Sequence, residues 1–75
     1  MRPVSGKRMG EVLEARGWVF DRTRGSHDIY VHPDSRRPIS VPVHGNPGPR
    51  QDAGELAPGT QRSIMRQAGL TDDDL

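Results

Sequence analysis

The chain has 75 residues, of which 31% are hydrophobic and none is cysteine. That length supports one small domain with a thin core, and the lack of cysteine excludes disulfides, thiolate metal sites and a thiol nucleophile, which fits a reducing cytoplasm. The net charge of +1 is unevenly spread: nine Lys or Arg stand against five Asp or Glu up to Arg50, and two against five from Gln51 onward, so the body of the chain is basic and suits a polyanion such as nucleic acid.

Ser5 is placed to cap a first helix over about Gly6 to Arg16, on which Met9, Val12 and Leu13 form one apolar stripe. Gly17 ends that helix. Trp18 to Thr23 reads as a strand, and Trp18 and Phe20 are expected in the core as two of the few aromatics available. After the turn at Gly25-Ser26, residues Asp28 to His32 alternate with period two, Ile29 and Val31 on one face and Tyr30 and His32 on the other.

Pro33 to Arg36 predicts a turn, with Pro33 preset for its first central position. Pro38 to His44 predicts a third strand, and Pro42 confines it to a sheet edge because it cannot donate to a ladder. Three short, closely spaced strands make an antiparallel meander. Residues 46–55 read as a flexible loop rich in Pro and Gly. A second helix begins between Pro58 and Thr60, carries Ile64, Met65 and Ala68 on its apolar side, and stops at Gly69 with Leu70 as the accompanying hydrophobic contact. Arg62 and Arg66 form a solvated face of it. Residues 71–75, with three successive aspartates, read as a frayed acidic tail.

The expected architecture is α+β, in the order α-β-β-β-α, with a three-stranded antiparallel sheet and both helices on one face. A single domain spans residues 1–75, with its core over about 5–70. The alternation assigns Ile29 and Val31 to the core side and leaves Tyr30, His32, Ser40 and His44 on the open face. No apolar stretch is long enough for a membrane span, so no membrane association is expected.

The most informative chemistry lies in Arg24-Gly25-Ser26-His27. A Gly-Ser-His turn sets an imidazole at a strand edge beside residues small enough for a substrate backbone to approach. Histidine is the side chain that both accepts and donates a proton near neutral pH. Strand parity places His27 on the side of Ile29 and Val31, which counts against an open site, although parity is weakly defined at the first residue after a turn. A zinc site from His27, His32 and His44 matches no compact ligand spacing, so neither metal nor cofactor is expected.

Several blocks in order carry a resemblance: Gly17-Trp18, Arg24-Gly25-Ser26-His27 with Ile29-Tyr30, Val41-Pro42-Val43-His44-Gly45, Pro58-Gly59-Thr60 with Arg62-Ser63-Ile64, and Gln67-Ala68-Gly69-Leu70. Together, over roughly Ser5 to Leu70, they resemble the HicA family of toxins. The resemblance implies a fold similar to a double-stranded-RNA-binding domain, endoribonuclease activity on mRNA, and neutralisation by a cognate HicB-like antitoxin. It places the family's catalytic histidine on His27 and the preceding glycine on Gly25. Residues Pro47 to Ala53 look like an insertion relative to the family pattern, and Ser35 stands where the family commonly has Gly.

Such an activity needs no metal if His27 takes the proton of a 2′-hydroxyl, or supplies one to the leaving oxygen. Arg22, Arg24, Arg36 and Arg37 would neutralise charge on the phosphorane, and Gly25 and Ser26 would offer backbone N–H groups. His44 matches a family position and is a candidate RNA contact. The competing expectation is a small RNA-binding module that holds RNA by shape and phosphate contacts without cleaving it. On either reading the acidic tail would repel RNA and be dispensable for activity.

Overall fold

The structure, a computed structural model, describes residues 1–43 and 54–75. In chain order the elements are α1 (Gly6–Ala15), β1 (Val19–Arg24), β2 (His27–Val31), β3 (Ile39–Pro42) and α2 (Pro58–Ala68), followed by a short 3₁₀ helix (Asp72–Asp74). The strands form one antiparallel sheet in the order β1-β2-β3. The expected α+β order and meander are therefore present, and β3 is an edge strand as Pro42 requires. His44 and residues 46–53 of the expected loop lie outside the described residues.

Local chemistry accounts for the element ends. The Ser5 hydroxyl accepts the Arg8 backbone N–H at 3.0 Å and so caps α1. At the end of α2, Gly69 takes φ +69, the Leu70 N–H reaches back to the Met65 carbonyl at 2.8 Å, and Leu70 is buried. These are the bond and the hydrophobic contact of a Schellman motif. A Ser35 N–H to His32 carbonyl bond of 3.0 Å closes the turn after β2 with Pro33 at its first central position.

The core lies between the helices and one sheet face. Met9, Val12 and Leu13 of α1 and Ile64 and Met65 of α2 pack with Tyr30, Ile39, Val41 and Trp18. Two expectations fail here. Tyr30 is on the core side of β2, because it pairs directly with Ile39, and directly opposed residues share a face. Phe20 is 45% exposed; it sits on the outer strand, edge-to-face with Tyr30 at 5.9 Å between ring centroids.

Tyr30 fits beneath α1 because position 10 has no side chain. A Cβ on Gly10 would stand 2.2 Å from the Tyr30 hydroxyl oxygen, and one on Gly6 would stand 2.3 Å from the Pro42 carbonyl oxygen. Burial pushes the Tyr30 phenol above its usual range, with the carboxylates of Glu14, Asp28 and Glu11 acting in the same direction.

Both ends of the chain are tied to this core. The fully buried Gln61 accepts the Val4 N–H at 3.1 Å and donates to the Arg2 carbonyl at 2.6 Å, while the Leu56 N–H reaches the Val4 carbonyl at 2.8 Å. The sequence expectation of a frayed tail is also corrected. Leu75 is only 6% exposed and belongs to the core cluster. Asp74 accepts the Thr71 N–H at 2.8 Å in a capping box and pairs with Arg16 at 2.8 Å.

Gly6→Ala is expected to destabilise the fold by about 1–3 kcal/mol, because a rigid backbone oxygen must move. Gly59→Ala, with nothing within 4 Å of a Cβ, should be neutral or stabilising by up to about 1 kcal/mol. Denaturant midpoints of the two variants check this, and equal effects would contradict the close approach of α1.

Leu75→Ala is expected to cost about 2 kcal/mol by the same measurement. The Thr71 N–H holds the Asp74 carboxyl below its ordinary 3.8, outweighing desolvation, with Arg16 assisting. Its stabilisation is thus fully present above 3.8 and lost as pH falls through the lower folded value. Asp74→Asn should flatten that acid limb, and an unchanged acid profile would show that the tail is not held this way.

Candidate functional site

Arg24 and His27 are the last residue of β1 and the first of β2, paired directly across a two-residue turn. Gly25 has φ +62 and Ser26 a negative φ, which is the pattern of a turn whose twist matches its flanking strands. Among the described residues nothing lies within 4 Å of a Cβ built on Gly25, so the turn needs glycine for its backbone conformation. The Ser26 carbonyl accepts the Val43 N–H at 2.8 Å, which ties the hairpin tip to the end of β3.

Pairing fixes which residues share the face of His27. Across the sheet, Arg24, His27 and Pro42 form one row, Arg22, Ile29 and Ser40 the next on that face, and Val19 and Val31 a third. The parity reading of His27 with Ile29 and Val31 holds, but that side is the one that neither described helix covers. Ile29 is only 8% exposed yet lies outside the core cluster, shielded on the middle strand between its neighbours. His27 is exposed. The face thus presents an imidazole, two guanidinium groups and a serine hydroxyl around a shielded isoleucine.

A bulge at Asp21 shapes the outer strand, since pairing steps from Phe20↔Tyr30 to Arg22↔Ile29. The turn sets Arg22 and Arg24 on the His27 face; the extra residue lets the first half of β1 run in the opposite phase, with Phe20 towards Tyr30. It also brings the Asp21 carboxylate against the Arg22 guanidinium as an ion pair. Arg24 has no such partner among the described residues. Sequence reasoning missed Asp21, although an aspartate inside a strand run is the available signal for an irregularity.

The remaining candidates are not brought to this place. Arg36 and Arg37 follow the turn at the far end of β2, about 13 Å or more from His27 along the strand. They stand apart from the His27 imidazole, at the other end of the strand. Ser40 is on the open face as expected. His32 lies beyond β2 beside Trp18, 5.2 Å between ring centroids, and its Nδ1 accepts the Asp34 N–H at 3.0 Å. His27 and His32 are thus at opposite ends of the strand and cannot hold one ion together. No helix among the described residues is long and apolar enough to cross a membrane.

In comparisons with known proteins, a family model described as the HicA toxin of bacterial toxin–antitoxin matches residues 6–70. No curated protein matches the chain. The matched span begins at the first residue of α1 and includes the hairpin of Arg24 to His27, the whole sheet and α2.

Gly25→Ala is expected to cost about 1–2 kcal/mol through the positive φ alone. Gly25→Asn should cost less, since asparagine tolerates positive φ better than alanine. Thermal or denaturant unfolding of the two variants checks the order, and equal stability of Gly25→Ala and wild type would contradict this turn conformation.

Proposed function

The chain belongs to the HicA toxin family of bacterial toxin–antitoxin systems, and we propose that it acts as a metal-independent endoribonuclease on mRNA with His27 as its acid–base group. The observation that carries this reading is the exposed imidazole of His27 directly opposite Arg24, which has no ion-pair partner among the described residues, on the sheet face that neither described helix covers. Proton transfer and charge neutralisation, the two requirements of phosphodiester cleavage by an internal nucleophile, stand side by side there.

An RNA strand lying on this face puts a scissile phosphate between His27 and Arg24. His27 takes the 2′-hydroxyl proton as the 2′-oxygen bonds to the adjacent phosphorus, and the bond from phosphorus to the 5′-oxygen breaks. The products are a cyclic phosphate and a free 5′-hydroxyl. The leaving oxygen draws its proton from solvent, because no second imidazole or carboxylate occupies the rows of His27 and Ile29 among the described residues. Arg24, with Arg22 once released from Asp21, offsets charge on the phosphorane. The exposed Gly25-Ser26 tip lets the RNA backbone come close. The proposed partner is a HicB-like antitoxin, acting in the cytoplasm, where transcripts are accessible.

The test is induction of wild type beside His27→Ala, both confirmed folded and equally abundant, with transcript cleavage read directly. The expected loss of cleavage rate is about 10²–10⁴-fold, the usual contribution of a positioned acid–base group. Equal cleavage would remove His27 from the chemistry. RNA binding without cleavage by either protein would favour the non-catalytic module.

A further inference from the structure

The far end of the sheet carries a second concave surface that the chemistry at His27 does not use. It consists of two adjoining cavities of about 250 and 260 Å³ that share Trp18, Ser35 and Gln67. Arg36, Arg37 and Ile39 complete the first. Each cavity is below the usual size for a drug-sized ligand, but it has room for one base or one phosphate with its sugar.

The polar groups here are held in place. The Ser35 hydroxyl donates to the Arg37 carbonyl at 2.9 Å and accepts the Arg37 N–H at 3.3 Å, so it clamps the backbone of the arginine pair. Gln67, which is exposed, donates from Nε2 to the Ser63 hydroxyl at 3.1 Å.

Charge selects the ligand. Arg36 and Arg37 make no side-chain ion pair among the described residues, whereas Arg8 is paired with Glu11 and Arg16 with Asp74. The first cavity has no carboxylate in its lining, and Asp34 lines only the second. Two adjacent guanidinium groups with no ion pair among the described residues, beside the amide of Gln67 and the small part of the largely buried Trp18 (6% exposed) that lines the cavity, match a phosphate joined to a heterocyclic base.

We propose that this groove binds a nucleotide of single-stranded RNA, with its phosphate on Arg36 and Arg37 and its base against the Gln67 amide, at the rim of the cavity that Trp18 lines. The inference rests on the reading of RNA as the substrate, and assigns to the groove a nucleotide further along the strand than the one cleaved. A strand running from His27 along the open face reaches the groove by turning over the β2–β3 end of the sheet. The arginine pair thus acts in holding RNA and not in the chemistry.

Trp18 is the chain's single tryptophan, so its fluorescence reports on the groove directly. The probe is a 2′-O-methyl RNA hexamer, which lacks the nucleophile and cannot be cleaved, with 5′-AMP as the minimal unit. A saturable change is expected for both with the full chain. Arg36→Ala/Arg37→Ala should weaken hexamer binding at least about tenfold. Arg62→Ala/Arg66→Ala, which removes the same charge from the exposed side of α2, should leave it unchanged.

Equal weakening in the two double variants would reduce the effect to net charge and overturn the proposal. Inorganic phosphate binding as tightly as 5′-AMP would overturn the base contact, and tighter binding of an oligoglutamate peptide would assign the groove to an acidic protein segment instead. A chain that binds the hexamer through Arg36 and Arg37 yet cleaves no RNA would sink the nuclease reading and leave this site standing.

Discussion

The close approach of α1 to the sheet decides the polarity of everything else. With glycine at positions 6 and 10, the helix backbone comes within a side chain's thickness of the Pro42 carbonyl and the Tyr30 hydroxyl. Tyr30 then fills the space beneath α1, and Ile39 and Val41 complete that layer. Once Tyr30 faces inward, side chains alternating along β2 turn His27, Ile29 and Val31 outward. The exposure of the proposed catalytic imidazole is therefore a consequence of two missing side chains in a helix that never touches it.

Much of the fold was legible in the sequence because its punctuation is strong. The Ser5 cap, the Gly69 stop and the alternation Ile39, Ser40, Val41 each have one physical solution, and the structure adopts it. The inward side of β2 was not legible. Ile29 and Val31 on one side and Tyr30 on the other are both apolar sets, so the period gives two faces without a direction. Only the neighbour above the sheet breaks the tie, and Gly10 is nineteen residues or more from the strand positions it selects. In the candidate site, Arg24 opposite His27 follows from the turn length. The separation of Arg36 and Arg37 from His27 appears only when β2 is laid out as a strand between them.

The tail misled sequence reasoning for a related reason. Three aspartates in a row read as solvated charge, yet Asp74 serves as the partner of Arg16 and of the Thr71 N–H, and the last leucine is buried. A chain with this few hydrophobic residues cannot leave a leucine unused. Gln61 makes the same point at the other end, where a buried amide with both its groups satisfied joins the first residues to α2. Polar contacts of known geometry supply the order that a larger apolar core would otherwise provide.

In the proposed nuclease, an open imidazole would place the burden of catalysis on the substrate. His27 has no hydrogen-bonded partner among the described residues and sits on a face exposed to water, so neither desolvation nor a fixed second group sharpens its role. In the proposed reaction, rate would then depend on how long and how rigidly the RNA backbone is held against Arg24, because orientation is the contribution such a site can still make. Holding a strand rigidly at one point is inefficient, since a single phosphate contact leaves it free to pivot. A second grip displaced along the strand removes that freedom without crowding the reacting atoms. The clamped arginine pair stands at that distance, beyond the opposite end of β2, where its charge would fix the strand without altering the proposed proton transfer at His27.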